Sequence, residues 1–411
     1  MSEDLLLLFA YHFPPENAIG GVRPFRFYKY LPRLGLACHV ITAADVRSRP
    51  ELQAEYVPDP FITRPRQGVG WQIERFIRKF FLPGVTGTHW AVDAYRAGLK
   101  LLVQNPRRRV AVLSTYPPLG TLLAGFLLAR KTGLPWILDF RDPLAGNPQS
   151  GDINDFQRQI YRRIERLFVR RAAQVIANTD AAERMLKQAS PIRANDIHLI
   201  INGFDPEDRL SPDPIPDRPY RVFSHVGGLY EGRSVTPLLE SVKRLIDSGQ
   251  LNPRQIKILL VGPARHTSIP DASFLEQATS AGWLETRFEG VPQEEAESIN
   301  RTSDGLLLIQ PGSAVQIPGK LYEYLQIGRP ILAVMPPDSA IERVLRKSGI
   351  TYRCAYSTSP ADVFDAAVRE YFNLPSTTEQ PSEWFENEFN AQRHTEKLAR
   401  IIEAAHAVTR P

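Results

Sequence analysis

The sequence predicts an α/β protein with two doubly wound, Rossmann-like parallel sheets. Short apolar runs, typical of buried strands, alternate with segments of helical periodicity along most of the chain, which is the pattern of stacked βα units. The alternation stops between Pro206 and Pro219, where five prolines fall within fourteen residues. Such a segment forms neither a helix nor a central strand. We therefore expect two domains facing a central cleft, with ligands at the carboxyl ends of the strands.

The first domain is predicted to span residues 1–205. Its predicted strands are Leu5–Tyr11, Cys38–Thr42, Val110–Thr115, Trp136–Phe140, Gln174–Ala177 and Ile197–Ile201. Its predicted helices are Arg23–Leu34, Leu119–Lys131 and a long helix from about Asp155 to Ala172. Strands and helices of this length, taken in alternation, are typical of a parallel sheet with helical crossovers.

Residues 206–219 are the predicted linker, and the second domain is expected over residues 220–380. Its predicted strands are Arg221–Val226, Ile256–Val261, Thr286–Glu289, Gly305–Gln310 and Ile331–Val334. Its predicted helices are Thr236–Asp247, Pro292–Asn300 and Lys320–Gln326. A last helix, near Glu383 to Ala405 within residues 381–411, is a candidate to cross back to the first domain.

Composition excludes several classes of protein. The chain has 411 residues, of which 43% are apolar and 23% charged, values that exclude fibrous and disordered chains. Cys38 and Cys354 lie in short apolar runs, which favours reduced core thiols. The start of the chain is too polar for a secretory signal, and the apolar stretch Leu119–Ala129 has about half the roughly 20 residues that span a bilayer. We expect a cytoplasmic protein that does not span the membrane.

Charge is distributed unevenly between the two halves of the sequence. Residues 1–210 hold 29 Lys and Arg against 20 Asp and Glu, whereas residues 211–411 hold 21 against 25. The first half therefore carries the positive excess, which predicts contact with an anionic partner.

Two glycine-containing segments are candidate phosphate sites. Gly20 and Gly21 follow the first predicted strand and precede a helix, where backbone N–H groups attract anions, although a lone glycine pair is also an ordinary turn. In the second domain, Gly319 precedes a helix whose first turn contains Lys320 and Glu323. A lysine at a helix start opposes the helix dipole unless an anion binds there. The alternative is an exposed Lys320–Glu323 pair.

The order of several motifs resembles glycosyltransferase family 4, whose members are retaining enzymes of the GT-B fold that use nucleotide-sugar donors. The resemblance covers nearly the whole chain. Its motifs are His12-Phe13-Pro14-Pro15 with Gly20-Gly21 and Arg23, Ser114–Pro118, Trp136–Pro143, Asn202–Asp205, His225–Gly228, Phe288–Pro292 and Glu323–Pro330. The segments Ser114–Pro118 and Trp136–Pro143 are similar to those of bacterial members that build surface polysaccharides.

The resemblance implies a donor site for a nucleoside-diphosphate sugar of the UDP or GDP type. Backbone groups of Gly20 and Gly21 would approach the diphosphate, Arg233 and Lys320 would neutralise it, and Glu323 would bind the ribose. Gly290 and Val291 would border the base. The remaining implied donor-site residues are Arg23, Gly228, Gly319 and Tyr322.

Two positions depart from the family pattern. The family often carries a glutamate eight residues before the one at Glu323, and Val315 occupies that position here. The family's Gly-Arg at the start of the second domain is Gly228-Leu229, which leaves Arg233 as the nearest cation. Loss of activity and a subfamily difference are both open interpretations.

Catalytic candidates are Asp139, Asp142 and His12. Both aspartates follow a buried strand at its carboxyl end, where a carboxylate can orient an acceptor hydroxyl. The alternatives are a helix cap for Asp142, a surface pair of Asp139 with Arg141, and a strand-end histidine for His12. No Asp-x-Asp motif and no His or Cys cluster has metal-ligand spacing, so we expect no metal and no cofactor other than the donor.

Two basic amphipathic segments lie in the first half. Residues 64–79 place Arg64, Arg66, Arg75, Arg78 and Lys79 among apolar residues that include Trp71, which predicts contact with an anionic membrane. Further along, Arg158, Arg162, Arg166 and Arg170 form a stripe that periodicity places opposite Phe156, Ile160, Ile164 and Leu167. For this second segment a solvated surface helix is the simpler interpretation.

Together these observations predict a glycosyltransferase at the inner face of the plasma membrane, acting on a polysaccharide or lipid-linked acceptor and retaining anomeric configuration. The alternatives are a sugar-nucleotide epimerase of the same fold and a non-catalytic scaffold that binds membrane or polyanion. Nucleic acid is not an expected partner, because no recognised nucleic-acid-binding module accompanies the charge.

Overall fold

The computed structural model describes residues 4–15, 19–43, 51–59, 72, 76, 87–142, 144–145, 155–230, 232–314 and 316–407. The chain divides into two compact units. Unit 1 comprises Met1–Asn202 with Ala391–Pro411, and unit 2 comprises Gly203–Asn390. The Pro-rich segment 206–219 therefore lies within unit 2, and the last helix belongs to unit 1.

Unit 1 is built on a parallel sheet of seven strands in the order β3-β2-β1-β4-β5-β6-β7. The strands are β1 Asp4–Phe9, β2 Leu36–Ala43, β3 Ala54–Val57, β4 Val110–Tyr116, β5 Trp136–Phe140, β6 Gln174–Ala177 and β7 Ile197–Leu199. The helices are α1 Ile19–Tyr30, α2 Thr88–Gln104, α3 Leu119–Thr132, α4 Asp155–Arg171 and α5 Asp180–Ala189. The strand order reverses beside β1, as in doubly wound folds.

Helices cover both faces of this sheet. Side chains of α2 to α5, among them Trp90, Leu122, Phe168 and Leu186, pack on one face. On the other face Phe27 of α1 lies with Leu398 and Ile402 of the carboxyl-terminal helix, Ala391–Ala407. Because both faces are covered, the strands are almost continuous apolar runs.

Unit 2 repeats the same topology with six parallel strands in the order β10-β9-β8-β11-β12-β13. They are β8 Arg221–Val226, β9 Ile256–Val261, β10 Leu284–Arg287, β11 Gly305–Ile309, β12 Ile331–Met335 and β13 Tyr352–Tyr356. The helices are α6 Thr236–Asp247, α7 Ala272–Ser280, α8 Gln293–Thr302, α9 Lys320–Ile327, α10 Ala340–Ser348, α11 Ala361–Phe372 and α12 Glu383–Glu388, and α13 Ala391–Ala407 returns to unit 1.

The predicted fold class, two doubly wound parallel sheets, is confirmed. The apolar run at Cys354 forms strand β13, and several elements are additional to those predicted: β3, α2, α5, α7, α10 and α11. Helix α2 gives a weak pattern because its buried face includes Ala91, Ala94 and Gly98. The single predicted helix near Glu383–Ala405 is wrong. The chain instead forms α12 and α13, which are separated at Phe389 and Asn390.

Candidate functional site

The most distinctive site of unit 2 lies at the carboxyl end of β8. Lys320, the first residue of α9, donates a hydrogen bond from Nζ to the carbonyl oxygen of Val226 at 2.9 Å. The side chain passes over Gly227, where a Cβ atom would lie 2.4 Å from Nζ. Gly227 has φ 137°, a backbone conformation that glycine adopts readily. Gly227 thus gives the lysine room to reach the end of the strand.

The imidazole of His225 contacts the Lys320 ammonium and holds it at the carboxyl end of β8. The imidazole is buried, its Nδ1 lies 2.9 Å from the carbonyl oxygen of Leu307, and its Nε2 lies 3.3 Å from Nζ of Lys320. Because a carbonyl only accepts hydrogen bonds, Nδ1 carries the proton and Nε2 accepts from Lys320. Burial and the neighbouring Lys320 charge lower the pKa of His225 well below its usual range.

Arg233 is a second cation of this site. Its guanidinium lies 4.5 Å from the ring centroid of Tyr230, and its Nε is buried without a hydrogen-bond partner. Burial lowers the pKa of Arg233. Burial, and then the repulsion of Arg233, lower the pKa of Lys320 to about 7. In the part of the chain that the structure describes, neither cation forms an ion pair with a carboxylate.

Two loops are pressed together beside these cations. The backbone N–H of Gly312 donates to the carbonyl oxygen of Gly232 at 3.1 Å, and a Cβ on Gly312 would lie 2.8 Å from that oxygen. The loop that contains Arg233 is therefore joined to the loop between β11 and α9. At the start of the latter, Gln310 is buried and its Oε1 lacks a partner, so an acceptor group is unused at the end of β11.

The predicted site residues at the start of helix α9 differ in their exposure to solvent. Glu323 is exposed. Its negative charge raises the pKa of Lys320 and so opposes the lowering by burial and by Arg233. Gly319, the helix cap, is also exposed. Tyr322 is buried, with its ring 5.1 Å from that of Phe389. The ring of Tyr322 thus packs in the core of unit 2, and a donor contact of this residue stays a prediction.

The other predicted donor residues of unit 2 lie at neighbouring strand ends. Gly228 is adjacent to Gly227, and Leu229 donates its N–H to the carbonyl oxygen of Pro263, after β9. Gly290 has φ 83° and Val291 packs on the apolar cluster of Val222 and Val261. The loop after β10 and the end of β8 are thus held on the same side of the sheet.

In unit 1, Arg23 and Asp139 form a buried ion pair. Arg23 Nε and Nη2 donate to the two carboxylate oxygens of Asp139 at 3.0 and 2.8 Å. The hydroxyl of Thr115 adds a third hydrogen bond at 2.9 Å, and Arg23 Nη1 donates to Asn202 at 3.3 Å. Both charged groups are satisfied internally. This pairing indicates a structural role for both residues, while catalysis by Asp139 and donor binding by Arg23 stay predictions.

The remaining candidates of unit 1 do lie together. A Cβ on Gly20 would lie 2.9 Å from Cδ2 of His12 and 3.2 Å from Nη1 of Arg141, and one on Gly21 would lie 3.4 Å from the His12 backbone. Arg141 also donates to the carbonyl oxygens of Gly20 and Pro117. Asp142 follows, and burial raises its pKa. His12, Gly20, Arg141 and Asp142 therefore surround the carboxyl ends of β1 and β5.

Several predictions lie outside the described residues. They are Val315 and the basic segment with Arg64, Arg66, Trp71, Arg75, Arg78 and Lys79. Within the residues that the structure does describe, no helix is long and apolar enough to cross a bilayer. The same residues include no group of three His, Cys, Asp or Glu arranged to hold a metal ion.

Sequence reasoning missed three residues that shape these sites. His225 and Gly227 stand within a quoted motif, His225–Gly228, but only the structure shows that they contact Lys320. Glu165, on α4, accepts hydrogen bonds from the backbone N–H groups of Leu144 and Ala145 at 2.9 and 3.1 Å. It was not recognisable from sequence, because a glutamate within an arginine-rich helix suggests a surface charge.

A protein-family model describes part of this chain. Residues 20–203 match the glycosyl transferase 4-like domain, which corresponds closely to unit 1 without its amino-terminal strand and last helix. No curated protein matches the sequence.

Solved structures of similar fold include several that cover the whole chain. The HepE protein of Anabaena, in complex with UDP, is 15% identical with a TM-score of 0.60 and covers 98% of this chain and 100% of its own. The UDP-forming α,α-trehalose-phosphate synthase of Burkholderia xenovorans, in complex with glucose-6-phosphate, is 11% identical with a TM-score of 0.60, covering 97% and 100%. The catalytic domain of starch synthase IV of Arabidopsis thaliana, bound to ADP and acarbose, is 9% identical with a TM-score of 0.55, covering 99% and 100%. At such identities the likeness shows the fold.

Proposed function

We propose that this protein transfers a sugar from a nucleoside-diphosphate donor to a polysaccharide or lipid-linked acceptor. The match of residues 20–203 to the glycosyl transferase 4-like domain and the GT-B fold of the chain support this proposal. Lys320 and Arg233 bind the diphosphate. The observation that carries the proposal is this pair of cations, which lie close enough to lower the pKa of Lys320 and form no ion pair with a carboxylate among the described residues.

Electrostatics explains why such a pair indicates an anionic ligand. Burial disfavours the charged form of Lys320, and the nearby positive charge of Arg233 adds to this, so the pKa of Lys320 falls. A diphosphate placed between them reverses this effect, because it supplies the missing negative charge and accepts charge-assisted hydrogen bonds. During transfer the leaving diphosphate gains negative charge, so fixed cations stabilise the transition state more than the bound donor.

The remaining groups of unit 2 prepare this site. His225 accepts from Lys320 through Nε2 and so holds the ammonium at the end of β8. Gly227 keeps the path of the side chain open. Glu323, exposed one turn further along α9, would accept hydrogen bonds from the ribose hydroxyls. A preorganised site of this kind binds without the cost of ordering long side chains.

The ligands of the similar structures support a donor of the UDP type. The Anabaena protein binds UDP and glucose, and the Arabidopsis enzyme binds ADP. On the acceptor side we propose that His12 and Asp142, at the carboxyl end of the unit 1 sheet, contact the acceptor or the donor sugar. We expect retention of anomeric configuration, in line with the family resemblance.

The experiment that tests this function combines UDP-sugars and GDP-sugars with and without lipid-linked and oligosaccharide acceptors. We expect release of nucleoside diphosphate that depends on an acceptor and falls at least tenfold in Lys320→Met. Lys243→Met is the matched control, since Lys243 is half-buried and pairs with Asp247 at 2.6 Å in the same unit. NMR of the product reports its anomeric configuration.

Two other outcomes would contradict the proposal. Interconversion of sugar nucleotides without any acceptor would show an epimerase. Absence of nucleotide binding, together with binding to membranes or polyanions, would show a scaffold.

A further inference from the structure

Helix α4 is oriented differently from what its sequence pattern predicts. Periodicity places Phe156 and Leu167 opposite the arginine stripe, on the face that packs on the sheet. In the structure these two side chains are 56% and 45% exposed. The buried face instead includes Gln157 and Glu165 with Tyr161 and Phe168. The helix thus exposes large apolar residues and buries polar ones.

The exposed side of α4 is strongly basic. Successive residues of an α-helix are 100° apart, so Phe156, Arg163 and Leu167 fall within about 40° of one another, toward the edge of the exposed face that borders the half-buried Ile160 and Ile164. Most of the arginines continue the exposed face on the other side of this apolar edge. We define the arginine face of α4 as Phe156, Arg158, Arg162, Arg163, Arg166, Leu167, Arg170 and Arg171, all of which are exposed.

The neighbouring helix of the same layer continues this surface. Phe126 of α3 packs on Phe168 of α4 at 5.5 Å between ring centroids, so the two helices lie side by side. Leu127 of α3 is 38% exposed, and Arg130 and Lys131 in its last turn are exposed as well. The described helices α3 and α4 contain one exposed acid, Asp155.

We infer that the arginine face of α4, together with Leu127, Arg130 and Lys131 of α3, docks on an anionic lipid membrane. Basic side chains bind the headgroups, and Phe156, Leu127 and Leu167 enter the interfacial region. Charge alone would suit any polyanion. Exposed aliphatic and aromatic side chains along the edge of a basic face are typical of a lipid surface, because they gain free energy only where they leave water.

The helix dipole does not account for this surface. The dipole favours basic residues in the last turn of a helix, such as Arg130, Lys131, Arg170 and Arg171. Arg158 and Arg162 lie in the first half of α4, where the dipole opposes them. The exposed apolar residues are also unrelated to the dipole.

Docking through this face would place the carboxyl end of β5 beside the lipid surface. Glu165 lies on the sheet side of α4 and accepts hydrogen bonds from Leu144 and Ala145, which follow Asp142 within three residues. Helix α4 and the Asp142 loop are therefore one connected structure. The docking does not rest on the proposed transferase activity, although it would favour a lipid-linked acceptor.

The test is cosedimentation of the full chain with vesicles, without any donor sugar. We expect binding to vesicles of equal parts phosphatidylcholine and phosphatidylserine and little binding to phosphatidylcholine alone. Arg163→Gln/Arg166→Gln should weaken binding roughly twenty-fold, because each basic residue contributes about fivefold. The matched control is Arg254→Gln/Lys347→Gln, two exposed basic residues of unit 2, which should bind like the wild type.

A second pair of variants distinguishes lipid from polyanion. Phe156→Gln/Leu167→Gln should weaken vesicle binding about tenfold and leave binding to heparin unchanged, while Val363→Gln, 52% exposed in unit 2, should change neither. Thermal melting by circular dichroism verifies that each variant is folded.

Two results would overturn the inference. One is wild-type vesicle binding by the arginine variant, which would assign membrane contact to another part of the chain, such as residues 64–79. The other is wild-type vesicle binding by the apolar variant with loss of heparin and vesicle binding in the arginine variant, which would show a polyanion site. Failure here leaves nucleotide binding unaffected, so the two proposals fail separately.

Discussion

Arg23 of unit 1 and Lys320 of unit 2 are both desolvated cations near the carboxyl ends of parallel strands, and they differ in what neutralises them. Arg23 is bonded through two nitrogens to the buried carboxylate of Asp139. Lys320 contacts a neutral imidazole and a carbonyl oxygen, with a second cation nearby. A buried cation that has its own carboxylate is neutralised within the fold, and loss of the carboxylate is costly. For a cation that lacks a carboxylate, we propose neutralisation by an anionic ligand.

The largest expected effect is the loss of stability when the ion pair of Arg23 and Asp139 is broken. Asp139→Asn should lower the free energy of unfolding by about 3–5 kcal/mol, because it leaves Arg23 buried without a counter-charge. Urea denaturation measures this. The double variant Arg23→Met/Asp139→Leu should recover much of the loss. Wild-type stability of Asp139→Asn with loss of activity would instead support Asp139 as a catalytic residue.

The next effect concerns the path of the Lys320 side chain. Gly227→Ala should lower stability by about 1–3 kcal/mol through its positive φ and weaken nucleoside-diphosphate binding at least tenfold, because the methyl group takes the position of Nζ. Gly249→Ala is the control, since Gly249 has φ 71° and no atom within 4 Å of its Cβ position. It should share the loss of stability and keep the affinity, as isothermal titration would show.

Dependence on pH should distinguish Lys320 from an ordinary lysine. Its pKa is lowered from 10.5 to about 7 in the folded protein, so the unfolded chain binds more protons between these values. Protonation in this window therefore destabilises the fold, and the free energy of unfolding should rise with pH from about 7 to about 10.

Diphosphate affinity should follow the opposite slope. The protonated ammonium binds the anion, so between about pH 8 and pH 9 affinity should fall by up to tenfold, with proton uptake on binding. Titration calorimetry in buffers of different ionisation enthalpy measures that uptake. Lys320→Met should remove it and Lys243→Met should not. Affinity that is independent of pH in both proteins would contradict the assignment of Lys320.

The smallest effect is expected at Glu323. This side chain is exposed, so Glu323→Gln should leave thermal stability unchanged and weaken nucleotide binding by about 1 kcal/mol through the ribose. Comparison of a nucleoside diphosphate with inorganic pyrophosphate sharpens the test. An equal loss for both ligands would place Glu323 near the phosphates rather than the ribose.

Sequence patterns predicted strands and helices best where one continuous signal determines them. Strands β8 and β9 and helix α6 have the predicted bounds, because apolar runs and a helical period are bounded by turn residues. Helix α4 was predicted with nearly correct ends and the wrong buried face. Its burial depends on Gln157 and Glu165, whose partners lie elsewhere in the chain.

The candidate sites were likewise predictable where a local pattern determines them, and not where the partners are distant in sequence. Lys320 was recognisable because a lysine at a helix start is locally unfavourable. The partnership of Arg23 and Asp139 joins residues 116 positions apart, and no local pattern predicts it. His225 likewise contacts Lys320 across 95 positions. The sequence therefore indicated Lys320 as a candidate anion-binding cation, but it did not predict that Arg23 pairs with Asp139.

The most direct test of this account is a thermal-shift measurement on Arg23→Met, Lys320→Met and the wild type, each with and without UDP and GDP. We predict that Lys320→Met melts at or above the wild-type temperature and loses the shift that a nucleoside diphosphate causes. Arg23→Met should melt well below the wild type and keep that shift. The reverse result, a ligand shift lost in Arg23→Met and retained in Lys320→Met, would contradict the account.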